Sequence, residues 1–425
     1  MTALGLDFGT TNTVVAVKAA AGARSLTFSN CEEVTQSLRT CLSFLPVSRQ
    51  GVRTLTIEAG GMAIRTFVDN PGDCRFLQSI KTFAASRAFS ATYVHGRKQT
   101  FPDLMEAFLR RIASYAGDDW PSSIDRVVVG RPVRFAGVDP DEATAIERYN
   151  EALGRLGFPT IQFVLEPVAA AFYFAQALAR DTTVLVADFG GGTTDYSIIR
   201  FERQAGAIAA RDIAHAGIGI AGDRFDYRIV DNVVSPLIGK GSHYRSFDKR
   251  LEIPRNWYTN FGRWNQLSIF KTLKEFTELK ALARYAEEPD KLQRFIDLVD
   301  YDEGYPLYQA VSRTKLALSD AGEAEFHFAP LGEDSRRMVR LAEFESWIAP
   351  DIARMGQCVD DMLAGANMNV GDIDKVFLTG GTSFVPAVRT MFTDRFGAER
   401  IESGGELLSI AHGLALIGAD QLHNG

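Results

Sequence analysis

Apolar residues gather in short blocks that end on glycine turns, and one such block recurs. Leu4 to Val17 reads LGLD, FGTTN, TVVAV, which predicts a strand, a glycine turn and a β-branched return strand. Val184 to Ile199 reads VLVADFGGGTTDYSII and repeats the order: an apolar strand ending in Asp, then Phe, a glycine turn with paired threonines and a β-rich return. This is a single duplication, with no array of roughly 20- to 50-residue periods around it.

Between the copies, Arg126 to Arg131 (RVVVGR) predicts a buried strand closed by Gly130 and Pro132. Asp139 to Leu156 has helical spacing, with Asp139 as N-cap and Pro140 at the first helical position. Ile161 to Leu165 reads as a strand, Glu166-Pro167 as a corner, and Val168 to Ala179 as an alanine-rich helix whose small residues permit close packing. After the second copy, Ala216 to Gly222 reads as a loose loop, with Asp223 capping the helix that follows. Val376 to Phe392 predicts a strand, a Gly380-Gly381 turn and a helix with Pro386 in its first turn.

Two stretches lack the strand-turn-strand unit: Thr40 to Lys98, and the mainly helical Lys240 to Pro306. The aromatic set Tyr244, Phe247, Trp257, Tyr258, Phe261, Trp264 and Phe270 in the second reads either as packing inside it or as a partner surface. The implied plan is an α/β chain of two related lobes, 1–180 with an insertion at about 31–100 and 181–425 with an insertion at about 223–340. Each lobe would carry a mixed β-sheet flanked by helices, with a cleft between them.

A length of 425 residues accommodates two or three domains with cores of their own. A formal charge of −7 supplies no broad positive field, which argues against nucleic acid as a partner. The longest apolar stretch, Val168 to Phe174, is too short to cross a bilayer, and no membrane partner is expected. Cys31, Cys41, Cys74 and Cys358 form no CxxC pair, which fits free thiols in a reducing compartment. With no leader pattern after Met1, the expected location is cytoplasmic.

The chemistry points to the two turns. Asp7 and Asp188 each end a strand before a glycine turn, whose backbone N–H groups make an anion-binding concavity that polyphosphate can approach. The threonine hydroxyls can donate to phosphate oxygens, and the paired carboxylates can hold magnesium through waters. The matching order of Asp, Gly, Thr and Thr in both copies favours this over two ordinary hairpins.

DFGTTN, EPVAAA, DFGGGTTD, AGDRFD and LTGGTSFVP stand here in the order found in the ATPase domain of DnaK-type heat-shock chaperones, within the actin, sugar-kinase and heat-shock ATPase superfamily, which this chain resembles over essentially its whole length. VGRPVRF at Val129 to Phe135 and the Trp-containing insertion make it similar to the short YegD-like subgroup. The resemblance implies the actin-like ATPase fold, ATP or ADP with magnesium and potassium as ions, and a client or co-chaperone protein as partner. It assigns Asp7 and Asp188 to the magnesium site, Gly9, Thr10, Thr11 and Asn12 to the first phosphate loop, and Gly190, Gly191, Gly192 and Thr193 to the second. The same resemblance places Asp195 near the ions and implies that Glu166, before Pro167, bonds magnesium waters and couples nucleotide state to a proline switch. It puts Lys81, in SIKTF, in the place of the catalytic lysine at the γ-phosphate. It implies that Gly222, Gly380 and Gly381 line the nucleotide, and it matches Lys315 and Ser319 to the adenosine helix. Leu316 and Phe384 depart from the family, replacing two arginines beside adenine. The chaperones continue past the equivalent of Gly425 into a substrate domain, so the resemblance implies that no peptide-clamping domain accompanies this ATPase unit.

The leading expectation is a slow magnesium-dependent ATPase acting as a conformational switch, in which Lys81, Glu166, Asp188 and Thr193 carry the chemistry. A small-molecule kinase, an actin-like filament protein and a nucleotide sensor with little turnover stand beside it. His215 reads either as a phosphate contact or as a surface loop histidine. GIGIAG at Gly217 to Gly222 lacks the acidic residue that closes a dinucleotide-binding unit.

Overall fold

A computed structural model of the chain describes residues 2–20, 22–30, 33–49, 52–70, 72–135, 139–176, 180–204, 207–262, 270, 274–402 and 407–423. By compactness the backbone forms two units. The first comprises Met1–Gly222, Ala353–Phe384 and Val388–Gly425, and the second Asp223–Ile352 with Val385–Ala387.

Two large sheets dominate the first unit. Strands β1 (Ala3–Phe8), β2 (Asn12–Ala19), β3 (Gly22–Ser25), β4 (Arg126–Arg131) and β5 (Ile161–Leu165) stand in the order β5-β4-β1-β2-β3, with Leu38–Arg39 pairing on β2. Strands β6 (Thr182–Phe189), β7 (Thr194–Gln204), β8 (Ala207–Ile218), β9 (Lys375–Thr379) and β10 (Ile401–Glu402) stand in the order β8-β7-β6-β9-β10. The duplication is visible in the pairing: β1 and β6 each pair antiparallel with the return strand after the glycine turn and parallel with a later strand. All eight residues of β6 are buried, as its near-continuous apolar run requires at the centre of a covered sheet.

Helices cover these sheets. Helix α1 (Phe101–Ala116) starts on a capping box between Thr100 and Asp103, and its Leu104, Phe108 and Ile112 join the core with Leu6, Phe8 and Val129. Helix α2 (Glu142–Arg155) is capped by Asp141, which accepts from the Thr144 N–H at 3.1 Å, so the cap expected at Asp139 lies two residues later. Helix α3 (Glu166–Ala175) begins at Glu166 itself, with Pro167 in the first turn where its missing N–H costs nothing. The expected corner is therefore helical; residues 177–179 of the expected helix lie outside the described residues. A Cβ on Gly413, in the closing helix α8 (Ser409–His423), would fall 1.7 Å from the Ala169 carbonyl oxygen, so α3 and α8 touch backbone to backbone. The alanine-rich segment is thus core, and a Cβ on Gly5 would likewise fall 2.3 Å from the Ala411 carbonyl oxygen.

Two expectations give way to strands: the insertion over Thr40 to Lys98, read as lacking a strand-turn-strand unit, and the loose loop over Ala216 to Gly222. Cys41–Arg49 and Val52–Ala59 form an antiparallel pair, with Arg75–Gln78 added beside Cys41 to Phe44. Pro46 is tolerated because the added strand stops at Phe44, leaving an edge where no N–H is needed. Ala216, Gly217 and Ile218 continue β8, held in register against Tyr196, Asp195 and Thr194.

In the second unit lie helices α4 (Gly222–Ile229, all but its first residue), α5 (Gly304–Asp320) and the first part of α6 (Leu341–Gly365). Asp223 sits inside α4 rather than at its cap. Trp257, Tyr258, Phe261 and Phe270 are buried among helices that include Pro289–Asp300, which supports the packing reading of the aromatic set; Trp264 lies outside the described residues. Phe247 differs, fully exposed at the tip of the hairpin His243–Ser246 and Lys249–Glu252.

Candidate active site

The strand register of the first unit brings acidic groups together. Asp7 sits near the end of β1, and Asp188 near the end of β6. Asp195 on β7 is the direct cross-strand partner of Asp188, an arrangement of like charges that opposes pairing unless something neutralises it. Glycines make the room: a Cβ on Gly217 would fall 2.7 Å from an Asp195 carboxylate oxygen, and one on Gly130 would fall 3.0 Å from Glu166 Cγ. Lys81 comes from the short 3-10 turn Ile80–Phe83, preceded by Ser79 at φ 52°, and donates to Glu166 Oε1 at 2.5 Å. Both members of this pair are buried, although 85 residues separate them in sequence.

The electrostatics are those of a crowded, partly desolvated acidic site. Burial pushes Asp7 well above the usual carboxylate range, with the negative charge of Glu166 next and that of Asp188 adding, while Lys81 pulls the other way. Burial also raises Asp188, followed by Glu166 and Asp195. Asp195 is pushed up to about 7 by burial and then Glu166, against the Arg134 N–H, the Lys81 charge and the Thr193 hydroxyl. Burial alone would lower the Lys81 ammonium, but Glu166, Tyr149 and Asp7 hold it above its ordinary value. Carboxyls so placed favour a second cation. Among the described residues no three acidic, His or Cys groups converge to hold a metal ion directly.

Both glycine turns are tightly closed. A Cβ on Gly9 would fall 2.3 Å from the Asn12 carbonyl oxygen, and this first turn, Gly9 to Asn12, is tied down by Thr40, whose N–H donates to the Thr11 carbonyl at 2.9 Å. In the second, the Gly190 N–H donates to the Thr193 carbonyl at 2.9 Å, closing the loop through Gly191 and Gly192. Gly380 adopts φ +85° where β9 passes β6, and a Cβ there would fall 2.1 Å from the Phe189 carbonyl oxygen. Gly381 opens the 3-10 turn that ends at Phe384, and helix α7 (Pro386–Phe396) follows in the chain. Gly222 is buried at the start of α4.

The residues expected at adenosine divide. The Phe384 ring is 44% exposed, so it does not point into the core. In the second unit, Leu316 is 61% exposed on α5, Ser319 donates to the Lys315 carbonyl, and the Lys315 ammonium pairs with buried Asp226 at 2.8 Å. His215 is on strand β8, bonded to Ser197 Oγ at 2.8 Å and to Asp212, which answers against the loop reading. The sequence assigns no part in this site to Gly130, Gly217, the Arg134 N–H or Tyr149, because each is recruited by register or helix packing.

Residues 79–247 and 280–421 match the family model described as Hsp70 protein. Among curated relatives, the chaperone protein DnaK of Deinococcus radiodurans and that of Deinococcus deserti are each 26% identical over 442 aligned residues. The alignments cover 97% of this chain and 59% of each relative. The chain therefore spans about three fifths of the length of the curated relatives it matches.

Proposed function

The chain belongs to the Hsp70 family, and from that membership and the geometry of its acidic site we propose a magnesium-dependent ATPase whose output is conformational. The observation that carries the reading is the cluster of Asp7, Asp188, Asp195 and the Lys81–Glu166 pair at the ends of two like strand-turn-strand units, where anion-binding loops meet carboxylates short of positive charge.

In this reading the N–H groups and hydroxyls of Gly9 to Asn12 and Gly190 to Thr193 hold the phosphates, and small residues let them approach. Magnesium, when bound, supplies the charge neutralisation that the facing carboxylates and the triphosphate both require. Asp7, Asp188 and Glu166 would hold the ion through its waters, with the charge of Asp195 acting on Asp188. Lys81 brings its ammonium to the transferring phosphoryl group, where charge develops as water attacks in line, and Thr193 helps orient that water. Glu166 heads helix α3 with Pro167 next in sequence, so a change in its partners is felt by a helix packed directly against α8. In the first unit, Gly380 and Gly381 line the nucleotide and Phe384 offers an exposed ring face to the base; in the second, Lys315, Leu316 and Ser319 on α5 keep the adenosine part that the family resemblance implies. The lobes of the switch would be 1–180 and 181–425, and its partners a client or co-chaperone protein.

The test is ATP hydrolysis with and without magnesium, together with calorimetry of ADP, on wild type and Asp188→Asn. Magnesium-dependent turnover lost in the variant supports the reading. Nucleotide binding without turnover in the wild type would make it a sensor, and no binding would remove the reading altogether.

A further inference from the structure

Close to Lys81 lies a polar group to which neither motif nor family match gives a part. Tyr149, on α2, is 2% exposed. Its ring meets Phe8, the neighbour of Asp7, edge-on at 6.1 Å, and Phe163, on the strand that leads to Glu166, at 6.1 Å; Phe101 lies tilted at 5.3 Å. The hydroxyl is enclosed and has no hydrogen-bond partner among the described residues. Leaving such a group unpaired is costly, and a phenylalanine would fill the same aromatic nest without that cost. The charges of Lys81, Glu166 and Asp7 all act on this phenol, so the three groups lie within electrostatic reach of it. The Lys81 ammonium, for its part, has three donors, of which Glu166 takes one.

We propose that Tyr149 is a positioning residue for Lys81: in the working site its hydroxyl oxygen accepts a hydrogen bond from the ammonium, directly or through one water, and so steadies Lys81 as it turns from Glu166 toward the terminal phosphoryl group. The ammonium keeps its proton throughout, and no covalent bond to Tyr149 is made. The inference rests on the ATPase reading for its consequence, and on the buried phenol for its geometry.

Tyr149→Phe removes one oxygen and keeps the ring. The expected result is a kcat lower by roughly 10- to 100-fold with little change in KM for ATP, and a thermal midpoint of the nucleotide-free protein that does not fall. In a Lys81→Met background the same substitution should lower kcat no further, because its effect passes through the lysine. In nucleotide-free protein, the lysine side-chain nitrogen resonance that disappears in Lys81→Met should shift in Tyr149→Phe. Wild-type protein without ATPase activity would sink the parent reading and leave this resonance to judge Tyr149. An active wild type matched by Tyr149→Phe in kcat, with an unmoved resonance, overturns the inference alone. A lowered midpoint, with losses that multiply in the Lys81→Met background, overturns it in favour of packing.

Discussion

Replacing Asp195 by asparagine should stabilise the nucleotide-free protein at neutral and alkaline pH while destroying its activity. The carboxyl is 2% exposed and faces Asp188 across the ladder, with the Arg134 N–H at a long 3.4 Å. Its pKa rises from an ordinary 3.8 to about 7, with burial the first cause and Glu166 the second. The raised value sets the sign. Between about pH 4 and pH 7 the unfolded chain has lost this proton and the folded chain still holds it, so stability falls as pH rises through that window and stays low above it. Roughly three pH units at 1.36 kcal/mol each give ~4 kcal/mol as the size of the effect at this site. Asparagine keeps the shape and cannot ionise. Asp195→Asn should therefore match wild type near pH 4 and exceed it by up to ~4 kcal/mol at pH 8. Denaturant unfolding in the presence of a chelator, from pH 4.5 to 8, measures the difference. Parallel stability curves for the two proteins would refute the reasoning, and so would a wild type that gains stability between pH 5 and 7 while the variant does not.

Asp7→Ala or Asp188→Ala should abolish magnesium-dependent hydrolysis with the far-ultraviolet spectrum unchanged, since both side chains sit at strand ends beside turns; wild-type rates in both would show the ion site misplaced. Lys81→Ala should lower kcat about a hundredfold or more with a smaller change in ATP affinity, because the ammonium meets charge that develops in the transition state; single-turnover kinetics checks it. Phe384→Ala should weaken ADP about five- to a hundredfold by calorimetry if the exposed ring stacks on the base, and an unaltered affinity would place the base elsewhere. Gly413→Ala drives a methyl into the Ala169 carbonyl and should cost at least about 1–3 kcal/mol, read as a lower thermal midpoint; an unchanged midpoint would mean that α3 and α8 are not in backbone contact.

Local periodicity and turn chemistry encode part of this fold. Arg126–Arg131 and Ile161–Leu165 are strands with the bounds read from the apolar pattern, and both glycine turns lie where Asp, Gly and Thr placed them. A strand ends where its pairing must stop, and glycine marks that point in the chain itself. The hairpin at Cys41–Ala59 was not legible, because Pro46 argues against a strand until the third strand is seen to stop at Phe44. Gly217 looked like loop for the same kind of reason, and pairing with Asp195 overrode its weak propensity. Motif order marked Asp7, Asp188, Glu166 and Lys81 one by one, but their meeting depends on register and packing across distant segments. Tertiary structure alone decided that Asp188 faces Asp195, that Lys81 bonds Glu166, and that a helical tyrosine is buried beside them, since charge proximity and desolvation are properties of space and have no period along a chain.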